Sequence, residues 1–208
     1  MISAPDGACG FCHRFPPTQY NLWPTISLDA WCGEFTAAFP TPPTGALSGV
    51  AAPLVISQTP GTLRNNWTGP VGFSFVTAVN ATCTALGVWV VAGNSESPIV
   101  ALCDSSGNVL AYATVTTAGA SPGAYTYAPL STPFQMTAGT TYFLVRQASY
   151  NGDQWYDANT AVELSEEAGS AASPVYASGT LISAATGWTT PGGQGMSYGP
   201  VNLLYTVP

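Results

Sequence analysis

The amino-acid sequence predicts an all-β protein organised as an antiparallel β-sandwich, and three observations predict it. First, short runs rich in aromatic and β-branched residues recur at 71–76, 85–91, 99–104, 109–115 and 140–146, each bounded by Gly, Pro, Asn or Ser, which is the pattern of strand, turn, strand. Second, no window of comparable length places apolar residues at helical spacing. Third, a chain of 208 residues that is 46% hydrophobic and 12% aromatic can bury a sizeable core, which sets it apart from disordered chains.

Taken in order, the chain begins with a small Cys-containing extension, residues 1–36. Three of its five cysteines fall between Cys9 and Cys32. The Cys9-x-x-Cys12 turn can aim two thiolates at one metal ion, with Cys32 closing from a second turn and His13 or Asp6 as the fourth ligand. A structural zinc ion is therefore one expectation. A Cys9–Cys32 or Cys12–Cys32 disulfide and free packed thiols are the alternatives. Cys9-Gly-Phe-Cys12-His13 also has the spacing of a haem-attachment site, but that chemistry requires export and the chain has no second histidine.

Residues 37–53 hold four prolines among small residues and read as an arm or linker. So little core of its own suits an arm that lies on another subunit. The sandwich is expected over 54–208. Within it, Ser74 between Phe73 and Phe75, and the run Thr141 to Val145, fit strands with one or both faces covered. Asp104-Ser-Ser-Gly-Asn108 supplies a turn in which Gly107 is free to take positive φ. Cys83 and Cys103 lie in strand-like runs and read as small buried core residues rather than a reactive pair. Glu163-Leu-Ser-Glu-Glu167 reads as the one short helix, capped by Asn159 or Thr160. Two final strands are expected at 174–183 and 201–207, around a Gly-rich loop.

Charge narrows function. There is no lysine, only Arg14, Arg64 and Arg146, and ten carboxylates set the net charge at −7. Such a chain repels the nucleic-acid backbone and anionic membrane surfaces alike. No apolar run approaches the roughly twenty residues of a membrane helix. Met1-Ile-Ser-Ala-Pro-Asp lacks the basic and apolar regions of a secretory signal, so either such a segment has been removed or the protein is made and kept in the cytoplasm until assembly. With only 6% charged residues, a subunit whose faces are covered by neighbours, a homo-oligomer or part of a larger assembly, is the natural reading.

Two resemblances carry specific residues. Cys12-His-Arg-Phe-Pro-Pro-Thr18, Trp23-Pro24 and Asp29-Ala-Trp-Cys-Gly-Glu-Phe35 resemble a unit of short proteins from tailed bacteriophages and prophages. Fuller versions of that unit carry a Cys-x-x-Cys pair upstream, whereas this chain has only Cys9 close to Cys12. The resemblance implies a phage context and no particular activity. Gly72-Phe-Ser-Phe75, Ala85-Leu-Gly-Val-Trp89, Leu102-Cys-Asp-Ser-Ser-Gly107 and Ala138-Gly-Thr-Thr-Tyr142 resemble an uncharacterised β-sandwich domain of bacterial surface and secreted proteins. That resemblance spans most of 70–150 and implies a jelly-roll-like fold.

Among motifs with chemistry, Asn151-Gly-Asp153-Gln-Trp155-Tyr156-Asp157 stands out. Trp155 and Tyr156 can stack on a sugar ring, while Asp153 and Asp157 can hold its hydroxyls or Ca²⁺. The alternative is a polar turn with its aromatics packed inward. Gly195-Met-Ser197-Tyr-Gly199 matches a hydrolase nucleophile elbow, yet no acid or histidine follows it as that chemistry requires. No carboxylate pair is singled out for glycoside hydrolysis, and phosphate-binding glycine loops are missing. The expectation is therefore a non-enzymatic virion protein, assembled in the host cytoplasm. A capsid decoration (cement) protein that docks on the major capsid protein by its N-terminal unit and arm comes first. A tail or head-appendage protein bound to tail components, or a carbohydrate-binding adhesin recognising a surface glycan, is the alternative.

Overall fold

The structure is a computed structural model that describes residues 9–11, 25–27, 49–193 and 195–208. The chain divides into two compact units, Met1–Pro43 and Thr44–Pro208. In the first, β1 (Cys9–Phe11) and β2 (Thr25–Ser27) form an antiparallel pair. Cys12, His13 and Cys32 lie outside the described residues, as do most of the Pro-rich arm and the phage-like motif; of Cys9 only the backbone is described.

The second unit runs β3 (Ala52–Pro53), β4 (Val55–Thr59), β5 (Leu63–Arg64), β6 (Gly69–Val76), β7 (Ala81–Trp89), β8 (Ile99–Asp104) and β9 (Val109–Thr114). It continues through β10 (Tyr125–Met136), β11 (Thr141–Ala148), β12 (Trp155–Tyr156), β13 (Thr160–Leu164), β14 (Ser170–Ser178), β15 (Thr186–Thr189), β16 (Met196–Ser197) and β17 (Val201–Thr206). A single 3-10 turn, Ile182–Ala184, is the only helical element among the described residues. The fold is an antiparallel sandwich. A four-stranded sheet, β10-β7-β17-β3, packs against a six-stranded one, β15-β14-β6-β11-β8-β9, flanked by β16-β13-β4 and the short pair β12-β5. The chain crosses repeatedly between the two large sheets, as in jelly rolls.

Side chains alternate as strand geometry demands. Phe73 and Phe75 of β6, Val100 and Leu102 of β8 and Leu144 of β11 point into the space between sheets, where they meet Leu86, Val88, Leu203 and Tyr205. Their neighbours Ala101, Cys103, Phe143 and Val145 point the other way and are covered by Val175, Ile182 and Trp188. The central strands are thus buried on both faces, which is why they read as nearly unbroken apolar runs. Three prolines mark the rims, while Pro70 and Pro174 lie in the inner strands β6 and β14. Pro129 and Pro133 lie on edge strand β10, whose register against β7 shifts between Pro129 and Phe134, and Pro53 lies on edge strand β3. Lacking an N–H, proline fits an edge better than the middle of a ladder.

Local expectations meet the structure unevenly. In the turn after β8, Asp104 Oδ1 accepts from the Ser106 and Asn108 amides, both at 2.9 Å, and Gly107 takes φ 88° beneath the Trp188 indole. The helix expected at Glu163–Glu167 is a strand and a turn: β13 pairs with β4 and β16, Val162 is buried and Glu163 exposed. Five residues cannot repay helix nucleation, and pairing with two partners distant in sequence decides the conformation. Asn202 ties the sheets together. Its amide accepts from Val55 N (2.8 Å) and Leu203 N (2.9 Å), and donates to Val55 O (3.0 Å) and Tyr127 Oη (2.9 Å).

Candidate functional site

The acidic and aromatic loop after β11 is divided between two tasks. Asp153 is buried, and its carboxylate accepts from Ser95 N (2.7 Å), Glu96 N (3.1 Å) and Thr117 Oγ1 (2.6 Å). Its own amide donates to Glu96 Oε2 at 3.1 Å. Asp153 therefore clamps the loop after β7 to the loop after β11, and both its oxygens have protein partners. Asp157 accepts from the Thr62 and Asn159 amides at Oδ1 and places Oδ2 4.0 Å from Arg64 Nη1. Tyr156 is half-buried, while Trp155 is only 3% exposed.

Trp155 belongs to a recess that the sequence pattern conceals. Pairing of β12 with β5 sets Trp155 opposite Arg64, and pairing of β14 with β6 sets Tyr176 opposite Val71. Tyr198, whose amide donates to Gly72 O at 3.0 Å, closes the same space. Together with Asn66 and Trp67 these residues line an open recess of about 310 Å³, at the small end of the range for small-molecule sites. Its rings brace one another edge to face: Trp67 on Tyr176 at 5.8 Å, Tyr176 on Tyr198 at 5.6 Å, Trp155 on Tyr198 at 6.4 Å. Trp67 is further held by its indole N–H, which donates to Ala177 O at 3.3 Å. Burial, and then the neighbouring Tyr176, raise the Tyr198 phenol above its ordinary pKa, so it stays a neutral O–H donor. The walls offer apolar ring surface, and Arg64, Asn66 and the two phenols offer polar groups.

Beneath it lies Arg146, 1% exposed, with none of its three guanidinium nitrogens hydrogen-bonded among the described residues. Burial pulls its pKa down to about 10, opposed by the charges of Asp153 and Glu96. Gly199, at φ 58°, passes so close that a Cβ there would lie 3.0 Å from Val71 Cγ2, 3.4 Å from Arg146 Cδ and 3.5 Å from Trp155 Cβ. The Gly195-Met-Ser197-Tyr-Gly199 motif thus turns Tyr198 into the recess. Ser197 is fully buried, and its hydroxyl donates to Tyr198 O at 3.5 Å.

The remaining candidates lie elsewhere. Cys83 and Cys103 are buried free thiols, the first in the core between sheets and the second on the outer face of the six-stranded sheet. Burial pushes each thiol up to about 12, and Asp104 adds to the effect at Cys103. Among the described residues, no three His, Cys, Asp or Glu side chains gather to hold a metal. Of the recess residues, sequence reading singled out Trp155 alone. Trp67, Tyr176 and Tyr198 each sit beside a turn signal, Asn65-Asn66, Gly179 and Gly199, a weak signal that they could crown one end of the sandwich.

A family described as a domain of unknown function, DUF4082, matches residues 57–195, more than half the chain. The match encloses every recess residue except Tyr198. No curated protein matches.

Proposed function

The chain belongs to the DUF4082 family, and from that premise we propose that it is a non-enzymatic structural protein of a bacteriophage particle. The observation that carries the reading is the surface of the sandwich. Tyr150 (65%), Tyr112 (64%), Leu181 (55%) and Val50 (54%) are largely exposed, on a chain with three arginines and no lysine. Large apolar side chains on a charge-poor exterior suit a subunit covered by neighbours. The phage-like Cys and Pro-Pro unit of the sequence supports the same context. A capsid decoration (cement) protein, docked on the major capsid protein through residues 1–53 and packed beside copies of itself, is the first assignment. A tail or head-appendage position rests on the same chemistry. Zinc held by Cys9, Cys12, Cys32 and His13 would stiffen the docking unit.

Mass spectrometry of particles purified on a density gradient tests this. The protein is expected at stoichiometric, repeated copy number. Its absence from particles, together with a monomer by sedimentation, would overturn the proposal.

A further inference from the structure

We propose that the recess lined by Arg64, Asn66, Trp67, Trp155, Tyr176 and Tyr198 binds a neutral pyranose ring, as the terminal unit of a surface glycan. This goes beyond an assembly role and does not depend on it.

Three features of the recess converge on that ligand class. A pyranose has an apolar C–H face and a rim of hydroxyls, so its complement is a set of aromatic rings edged by groups that both donate and accept. Those elements are here: four indole and phenol rings joined in a row by three edge-to-face contacts, with two phenolic hydroxyls and a carboxamide around them. The phenols of Tyr176 and Tyr198 and the side chain of exposed Asn66 have no hydrogen-bond partner among the described residues, whereas the Trp67 N–H and the buried clamp beside the recess are engaged within the protein. The unpartnered groups that reach solvent are thus the two phenols and Asn66, while Trp155 Nε1 and the Arg146 guanidinium are unpartnered and buried.

Preorganisation is the second feature. The rings hold one another, so binding orders little that was loose. Trp155 is locked by strand pairing opposite Arg64, Tyr176 by pairing opposite Val71, and Tyr198 by its amide bond to Gly72.

Third, charge selects among ligands. Arg64 is the one accessible cation of the recess, and Asp157 already stands 4.0 Å from it. Arg146, buried below, is offset by Asp153 and Glu96. Three carboxylates against two guanidiniums offer no net attraction to a phosphate, sulfate or uronate. A purely apolar ligand would instead strand the phenols and Asn66 without partners. A volume of about 310 Å³ suits one ring and not an extended chain.

The test is an array of oligosaccharides ending in glucose, galactose, mannose or rhamnose, with uronate- and phosphate-ended counterparts, probed with the full chain. Tyr198→Phe and Tyr176→Phe keep both rings and remove one hydroxyl each; Asn66→Ala removes the amide. At least one neutral glycan is expected to bind. Each of the three substitutions is expected to weaken it at least about threefold, and the Tyr198→Phe, Tyr176→Phe double variant about tenfold, with Tm unchanged. Failure to bind any neutral glycan, preference for the anionic set, or binding indifferent to all three substitutions would each overturn the proposal. Particle incorporation of the same variants is expected to stay normal, which separates this site from the assembly role.

Discussion

At the level of single residues, burial and backbone angle decide more than side-chain chemistry. Gly199 sits at φ 58°, against Val71, Arg146 and Trp155. Gly199→Ala adds both a left-handed strain and a crowded methyl, and is expected to cost about 1–3 kcal/mol. Differential scanning calorimetry should show the loss as a fall of about 2–4 °C per kcal/mol. Arg146 argues the other way. Its folded pKa, lowered to about 10 by burial, means that the charged form weakens the folded state below that pH. The penalty lifts as pH rises above 10 towards the unfolded value. Arg146→Met removes a buried charge with no hydrogen bonds among the described residues while keeping the packed stem, so Tm at pH 7 is expected to hold or rise. The two core thiols give the opposite sign. Cys83 and Cys103 are raised from 9.0 to about 12, so the neutral thiol is favoured in the folded state. Their contribution is complete below about pH 9 and is lost as pH climbs from 9 to 12. In a Cys9→Ser, Cys12→Ser, Cys32→Ser background, Ellman's reagent at pH 8 should find no reactive thiol until the protein unfolds.

At the level of elements, the strands were legible where burial is two-sided. The run Val71–Val76 became most of β6 and Ile99–Asp104 became β8, because strands covered on both faces must be apolar throughout. Long β10 was harder to see, since Pro129 and Pro133 mimic a loop and are explained only by its edge position. The short helix read at 163–167 failed for a related reason: β4 supplies the partner for β13 from about a hundred residues upstream, and local sequence does not carry that information. The recess was hidden by the same non-locality. Asn202 shows how such distant elements are secured. Its carboxamide takes the place of a neighbouring strand for Val55 N and O. Asn202→Ala strands two buried backbone groups and frees Tyr127, and is expected to cost about 3 kcal/mol. Urea denaturation should show a lower midpoint at constant slope. An unchanged midpoint would mean that packing and the Leu54 N–H to Leu203 O bond suffice to hold β4 to β17.

At the level of the whole molecule, the balance is between a well-filled interior and an exterior with few charges to keep it dispersed. The sandwich buries aromatic and aliphatic side chains on both sides of its larger sheet, so stability does not depend on what covers the outside. Solubility does. Tyr112 and Leu181 line one apolar groove on that outside, together with Ile99, Val109 and Ile182. Because both are more than half exposed, replacing them with lysine removes apolar surface from contact with water and disturbs no core packing. A Tyr112→Lys, Leu181→Lys variant is therefore expected to keep its Tm within about 4 °C, since each exposed substitution falls within about 0.5 kcal/mol. If neighbours cover this face in a particle, as proposed, the same two charges would be desolvated without partners, at a cost of several kcal/mol. Occupancy on particles, measured by quantitative mass spectrometry after competition with the unaltered protein, is expected to fall at least about tenfold. Equal occupancy of the two proteins would show that this face stays open in the particle, and contact would then have to come from elsewhere on the subunit.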